Sequence, residues 1–363
     1  MPDIPVYCLS FQSSWRCQHA GACCNAGWAI PVEGPAFERL RVRFGHRSDV
    51  DPRFVTGGPL PEGAAAVLAT RQNGACVFYG NRLCTIHSEL GPAALPIACQ
   101  QFPRIALHDS RGTFVTLSHF CPTAARLLLN RGSIQPIAAP APLASPQPLE
   151  GLDAVHALPP LLSPRVLTDL DGYDEWERQC LQILSNESLS AEQAADSIEA
   201  GTRRLIEWRP GRGSLTCRVR EVFTEAASFE SRWTRTDDER RFRMACAAVP
   251  RGLAAAGLPE HSGDEELVPG WWPEQAGAAR RFVAAHLFGN WVAYHGRSLQ
   301  TIVEALKIWL SVLRVEAHRS EAMHAAETAD TRFVEAARRA DLLLVHLVDV
   351  KSLVLSIETR AIP

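Results

Sequence analysis

The residues best suited to chemistry in this chain of 363 residues are its cysteines, which crowd the N-terminal third. There are 11 cysteines, and those in the first 121 residues are Cys8, Cys17, Cys23, Cys24, Cys76, Cys84, Cys99 and Cys121. Grouped thiols in a reducing compartment indicate metal binding or catalysis before disulfides. Zn²⁺ takes four tetrahedral nitrogen or sulfur ligands, and an iron–sulfur cluster takes about four cysteines. The chain has enough thiols for either group.

The cysteines fall into short local groups, as a metal site requires. The stretches "CQHAGACC" and "CVFYGNRLC" each supply two or three thiols, and single cysteines follow further along the chain. The predicted metal ligands are Cys17, Cys23, Cys24, Cys76, Cys84, Cys99 and Cys121, with Cys8 and His19 as secondary candidates. Buried, inert cysteines are the alternative, since cysteine is common in protein cores.

The adjacent thiols of Cys23 and Cys24 bear on the kind of metal. Consecutive cysteines cannot form an ordinary disulfide, because bridged Cα atoms usually lie further apart than the ~3.8 Å between neighbouring residues. Consecutive side chains are expected to diverge, so they reach two irons of a polynuclear site, for which we expect a [4Fe–4S] cluster, more easily than one zinc ion; alternatively one of them is a ligand and the other lies next to it. Zinc stays the alternative. Three later cysteines on helical patterns are predicted to be core thiols: Cys180, Cys217 and Cys246.

Composition and charge exclude several classes of protein. The 37 basic residues alternate with 40 acidic ones, which predicts a solvated surface rather than a nucleic-acid-binding patch. The N-terminus lacks the pattern of a signal peptide, and no run of about 18 apolar residues is present. We therefore expect a cytoplasmic protein with no nucleic-acid or membrane partner. The oligomeric state stays open.

The elements that must position these thiols divide the chain into three parts. Residues 1–131 combine short apolar runs with Gly, Pro and Cys, and we expect a cysteine-rich, loop-dominated metal-binding module. Residues 132–170 are rich in proline and predict an extended linker. Residues 171–363 show apolar residues at three- and four-residue spacing, interrupted by a second break at 257–274. The predicted fold is mainly α, with a C-terminal bundle of about six or seven helices, the last of which is expected over "DTRFVEAARRADLLLVHLVDVKSLVLSI".

Three blocks of sequence resemble a known family. They are "CCNAGWAIPVE", "CVFYGNRLCTIHSELGPAALPIACQQFPR" and "LSHFCPTAARLLL", in this order within residues 15–130. The set resembles the YkgJ-type cysteine-cluster family, with its C-x-x-C-x-x-C-C signature for zinc or iron chelation, and within it the flagellin lysine N-methylases. The second cysteine of that signature is replaced by Ala20, so Cys8 or His19 would have to supply the missing ligand. In addition, Thr123 stands where an acidic residue is usual after Cys-Pro.

The resemblance implies an enzyme with a metal or iron–sulfur centre that transfers a methyl group from S-adenosylmethionine to the ε-amine of a lysine in a protein substrate such as flagellin. No strand followed by a glycine-rich turn and an acidic partner is visible, so the cofactor-binding and catalytic residues are not placed. One alternative is a non-enzymatic iron–sulfur or zinc carrier or accessory protein. Another is structural zinc in a protein-interaction module.

Overall fold

The chain is mainly α-helical. The computed structural model describes residues 4–45, 51–144, 149–163, 166–224, 233–250, 268–295 and 298–361. Within these ranges the helices of the N-terminal part are short apart from the first: α1 (Gly34–Phe44), α2 (Thr85–Leu90), α3 (Ile97–Gln101), α4 (Pro122–Leu127) and α5 (Ala141–Ala144). No helix in the described part of the chain is both long and apolar enough to cross a membrane.

Longer helices make up the rest of the described chain. They are α6 (Leu170–Ser185), α7 (Ala191–Leu205), α8 (Leu215–Thr224), α9 (Arg235–Ala247), α10 (Ala276–Leu287), α11 (Val292–His295), α12 (Leu299–Met323), α13 (Ala329–Asp341) and α14 (Val350–Ala361). A π-helical turn at Leu342–Leu347 connects α13 to α14. These nine helices agree with the helical spacing of the sequence after residue 170, but within the described ranges they outnumber the six or seven expected.

The helices begin where the sequence supplies capping side chains. Ser190 accepts a hydrogen bond from the backbone of Gln193 (3.2 Å), whose side chain accepts one from the Ser190 backbone (2.8 Å), which is the capping box that stabilises a first turn. Helix α12 is buried along most of its length and packs against α7, α9, α10, α13 and α14. It is therefore the central helix of the bundle.

Twelve short strands lie within the described ranges. They are β1 (Val6–Leu9), β2 (Pro31–Glu33), β3 (Phe54–Val55), β4 (Ala64–Leu68), β5 (Tyr79–Gly80), β6 (Leu83–Cys84), β7 (Arg104–Asp109), β8 (Gly112–Leu117), β9 (Pro136–Ala138), β10 (Gly151–Asp153), β11 (Leu161–Ser163) and β12 (Val166–Leu167). The largest sheet has the order β10-β7-β8-β1-β9, and a smaller one has the order β2-β4-β3. In the large sheet β1 runs parallel to β8, and β10 runs parallel to β7.

The N-terminal part has more regular structure than the loop-dominated module expected from its sequence. Strands β7 and β8 form a hairpin with a two-residue turn, in register from Arg104 opposite Leu117 to Asp109 opposite Gly112. Every residue of β8 is buried, because it lies between β7 and β1 in the sheet. A strand buried on both faces has no polar–apolar alternation, which is why the sequence pattern did not predict it.

The proline-rich segment 132–170, expected to be an extended linker, contributes two strands, β9 and β10, to the large sheet. Strand β9 pairs antiparallel with β1, and β10 pairs parallel with β7. One hydrophobic core also joins the sheet to the bundle, since the ring of Phe114 lies 5.4 Å from that of Phe288. The division at residues 131 and 170 therefore does not separate two cores.

Two other sequence expectations concern the helical part. Most of the second predicted break, at residues 257–274, falls within 251–267, outside the described residues. The last apolar stretch was expected to be one helix, but it forms α13, the π-helical turn and α14. The extra residue of a π turn rotates the side chains that follow it, and such turns are frequent at functional sites.

Candidate metal centre

The structure brings the predicted ligands to one place. A cavity of about 360 Å³ is lined by all seven principal candidates, Cys17, Cys23, Cys24, Cys76, Cys84, Cys99 and Cys121. His19 lines the same cavity. Cys8 does not: it is fully buried in a neighbouring apolar cluster with Trp15 and Cys121, and burial raises its pKa to about 11. The secondary candidates are thus separated, with only His19 at the cavity.

The first two adjacent ligands lie in a tight turn at Cys23–Asn25. Their sulfurs are 3.9 Å apart, so the two side chains do not diverge as the sequence argument supposed. The turn begins at Gly21, whose positive φ of 76° favours glycine and where a Cβ would lie 2.0 Å from the Tyr79 hydroxyl. The backbone of this turn therefore points both sulfurs into the same space.

The second pair of ligands is anchored to the first by the backbone. The N–H of Cys76 donates to the carbonyl of Cys24 (2.7 Å), which ties the two cysteine stretches together. Cys84 ends β6 and immediately precedes α2. The β5–β6 hairpin between them turns through Asn81 and Arg82, both with positive φ. This hairpin returns the chain to the cavity after eight residues.

The last two ligands sit at short helices. Cys99 lies in α3, whose first N–H, on Ile97, donates to the carboxylate of Glu33 (3.2 Å) on β2. Cys121 immediately precedes α4 and is 9% exposed. Arg104 fixes the chain between them, because its guanidinium donates to the carbonyls of Gln100 (2.6 Å) and Pro142 (3.0 Å). Each ligand thus has its own backbone support.

The electrostatic state of the thiols follows from their burial. Burial raises the pKa of four of them, Cys76, Cys84, Cys99 and Cys121. Cys23 differs, because the hydrogen bond from Cys24 lowers its pKa to about 7. Thiols with raised pKa values are protonated at neutral pH, so a metal that binds them as thiolates must displace protons.

An aromatic wall closes one side of the cavity. The Trp28 ring lies 5.7 Å from that of Phe102, 4.9 Å from that of Phe120 and 4.6 Å from that of His346, measured between centroids. Trp28, Phe102 and His346 all line the cavity. His346 comes from the π-helical turn Leu342–Leu347, so the C-terminal part of the chain completes a cavity built by the N-terminal part.

Sequence reasoning missed His346 as a site residue. It is the one histidine in the apolar run "LLLVHL", and nothing in the sequence connects that run to the cysteines. In the structure its Nε2 is 2.8 Å from the Ser118 hydroxyl, three residues before Cys121, and burial lowers its pKa. A further imidazole pair lies at the cavity, since His19 and His87 have ring centroids 4.6 Å apart.

The three cysteines of the C-terminal helices, Cys180, Cys217 and Cys246, do not line the cavity. Cys180 is buried in the helical core, as expected, and Cys246 is half-buried. Cys217 is exposed on α8, so the expectation that it is a core thiol is wrong. It lies on the solvent side of an amphipathic helix, whose buried face carries Leu215, Val219 and Val222.

A second group of potential ligands lies outside the cavity. His119, His286 and Asp341 are the one set of three or more histidine, cysteine or acidic residues, within the described part of the chain, whose ligand atoms all lie within 4.8 Å of one another. Burial would raise the pKa of Asp341, but the two facing imidazoles outweigh it and hold that pKa well below its usual range. Burial lowers the pKa of His286.

The sulfurs of the cavity are spread apart. No three of the cavity cysteines, all of which are described, have sulfurs within 4.8 Å of one another. Zn–S bonds of about 2.3 Å in a tetrahedron place ligand sulfurs about 3.8 Å apart. No set of three cavity sulfurs is therefore as close together as the ligands of one bound zinc ion, although Cys23 and Cys24 alone, at 3.9 Å, are.

Comparison with known proteins adds no assignment. No protein-family model, no curated protein and no solved structure matches the chain. The resemblance to the cysteine-cluster family therefore stays a prediction.

Proposed function

We propose that this protein binds an iron–sulfur cluster, of the [4Fe–4S] type, in the cysteine-lined cavity. The observation that carries the proposal is the convergence of seven cysteines, far apart in sequence, on one cavity of about 360 Å³. Their spacing, wider than a single zinc ion needs, supports a polynuclear group. Zinc is the competing occupant.

The donor set fits such a cluster with ligands to spare. About four cysteines hold a [4Fe–4S] cluster, and the cavity offers Cys17, Cys23, Cys24, Cys76, Cys84, Cys99 and Cys121. Ala20, which stands at the position of the second signature cysteine, also lines the cavity next to His19. His19 could therefore replace that cysteine as a ligand. A bound cluster would supply redox chemistry, or a Lewis-acidic iron if one iron kept an open position.

For the activity we propose S-adenosylmethionine-dependent N-methylation of a protein lysine, as the sequence resemblance implies, with flagellin as the first substrate to test. The aromatic wall supports this, because the face of Trp28 attracts cations such as a sulfonium or an ammonium. Lysine must lose a proton before it attacks, and His346, with its pKa lowered by burial, lies in that wall to accept one. A non-enzymatic cluster carrier or accessory protein of the cytoplasm is the alternative.

The first experiment measures iron, zinc and acid-labile sulfide in protein purified without oxygen. We expect about four irons and four sulfides per chain. Cys23→Ala and Cys99→Ala should each lose most of the iron, because each removes a cavity thiol. Cys217→Ala, which changes an exposed thiol on α8, is the matched control and should keep it. Equal iron in all three variants, or zinc without sulfide in the parent protein, would contradict the cluster.

The second experiment separates an enzyme from a carrier. We expect the cluster-loaded protein to bind S-adenosylmethionine in calorimetry and to methylate flagellin. Trp28→Leu should weaken this binding by up to about thirtyfold, since a desolvated cation–π contact contributes up to about 2 kcal/mol. Binding of S-adenosylhomocysteine, which lacks the sulfonium charge, should change far less. Trp291→Phe, at a half-buried tryptophan outside the cavity, is the control.

Protein with a full cluster that binds no S-adenosylmethionine would favour the carrier. The metal assignment would stand in that case, because it rests on the cysteines and not on the aromatic wall.

A further inference from the structure

Three side chains from distant parts of the chain meet outside the cysteine cavity. His119 follows β8, His286 lies near the end of α10, and Asp341 is the last residue of α13. Their ligand atoms lie within 4.8 Å of one another. His119 is 1% exposed and Asp341 is 0% exposed, so the group is enclosed by protein.

The carboxylate of Asp341 joins the two imidazoles. Its Oδ1 accepts from Nε2 of His286 at 2.9 Å, and its Oδ2 accepts from Nδ1 of His119 at 3.1 Å. No lysine or arginine among the described residues forms an ion pair with Asp341. A buried carboxylate is costly unless a cation or strong donors compensate its charge. The group therefore offers two imidazoles and one carboxylate, which also accepts from the backbone N–H of His119 (2.5 Å) and pairs with no lysine or arginine in the described ranges.

His119 adds an independent observation. Its Nε2 is buried and has no hydrogen-bond partner in the described part of the structure. A buried polar atom without a partner costs about 1–3 kcal/mol, and such atoms are rare in native proteins. An imidazole nitrogen with a free lone pair is also the commonest ligand of transition metals in proteins. The nitrogen of His119 that faces Asp341 is Nδ1 (3.1 Å), so Nδ1 is the ligand atom in the group and Nε2 carries the ring proton when Nδ1 binds a metal.

We propose that His119, His286 and Asp341 form a second, mononuclear metal site for a divalent first-row ion such as Zn²⁺ or Fe²⁺, separate from the cysteine cavity. Two histidines and one carboxylate are a donor set that both ions use. The burial of the site makes it structural: the ion ties α10 and α13 to the segment after β8, two residues before Cys121. The proposal is independent of what the cysteine cavity binds.

Cobalt distinguishes the two sites in the full-length protein. Co²⁺ bound by nitrogen and oxygen has weak visible bands, whereas Co²⁺ bound by thiolates adds strong sulfur-to-metal charge-transfer bands in the near ultraviolet. After treatment with a chelator, we expect one equivalent of Co²⁺ to bind without the charge-transfer bands. His286→Gln should weaken that equivalent by at least about tenfold, because a ligand is lost, and should leave any thiolate bands in place.

Matched variants complete the test. His108→Gln, on β7 and bonded to Thr113 and to the Leu149 carbonyl, changes a histidine outside the group and should bind Co²⁺ as the parent protein does. Cys23→Ala should alter thiolate bands only. Asp341→Asn removes a second ligand and should weaken Co²⁺ binding in the same way. Asp341 also bonds both imidazoles, so its replacement affects folding as well, and the result is decided by His286→Gln.

Two outcomes would overturn the proposal. One is the absence of any Co²⁺ equivalent free of thiolate bands. The other is unchanged Co²⁺ binding in His286→Gln. Either would mean that Asp341 is a hydrogen-bond acceptor between two imidazoles without a metal. Melting curves give a second readout: added Zn²⁺ should raise the melting temperature of the parent and of His108→Gln by more than that of His286→Gln, which keeps only the cysteine cavity as a zinc site.

Discussion

Cys23 and Cys24 behave as one unit at the cavity. Their sulfurs lie 3.9 Å apart, so two neighbouring thiolates would repel each other. The Cys24 thiol donates to Cys23 and lowers the pKa of Cys23 to about 7, while the same bond, burial and the charge of Cys23 raise the pKa of Cys24. Near pH 7 the Cys23 thiol is therefore partly ionised while the Cys24 thiol stays protonated, and metal binding must remove the remaining protons.

This pairing predicts the pH dependence of alkylation at Cys23. In chelator-treated protein, modification by iodoacetamide should rise with pH and reach half its maximum near pH 7, because the thiolate is the nucleophile and the pKa is lowered to about 7. Cys24→Ala removes the hydrogen bond and should move the midpoint upward. Peptide mapping by mass spectrometry measures each site. An unchanged midpoint in Cys24→Ala would contradict the pairing.

At the scale of elements, Arg111 fastens the β7–β8 hairpin to α6. Its guanidinium bonds Asp109 (2.8 Å) in the hairpin and both Asp174 (3.0 Å) and Glu177 (3.0 Å) on α6. The arginine side chain is 10% exposed, while those of Asp109 and Glu177 are 1% and 6% exposed. The hairpin leads directly to Cys121, so this contact sets the position of one wall of the cavity against the bundle.

Arg111→Met should destabilise the protein strongly. The change leaves the buried carboxylates of Asp109 and Glu177 without their cation, and breaking a buried ion pair costs about 3–5 kcal/mol. Denaturant unfolding measures the free energy of unfolding. Arg41→Ala is the control, because the side chains of Arg41 and its partner Glu38 are 54% and 60% exposed and a surface pair contributes about 1 kcal/mol or less. Similar losses in both variants would rule out the special role of Arg111.

The helical elements also differ in how far they could be predicted. Polar caps and apolar spacing predict the helices after residue 170, and the structure confirms a mainly α protein. The break between α13 and α14 was not predicted, because "DLLLVHLVDV" is apolar on every face and has no proline or glycine. The π-helical turn there depends on what the side chains pack against.

At the scale of the whole molecule, one core unites segments that look separate in sequence. Leu9, Leu107 and Phe114 of the sheet belong to the same buried cluster as Trp176 and Phe288 of the helices. The cavity is likewise built from both parts of the chain. Cysteines between residues 17 and 121 line most of the cavity, and His346 lines it from the C-terminal part. A site assembled in this way depends on the folding of the entire chain.

The sequence by itself determined the mainly α class and the seven thiols suited to a metal, because composition, periodicity and local spacing carry that information. Only the tertiary structure decided that these thiols share one cavity, that Cys8 is outside it, that His346 lines it, and that His119, His286 and Asp341 meet. These contacts join residues up to about 330 positions apart in the chain. Local pattern does not encode such contacts, because they follow from how buried strands and helices pack together.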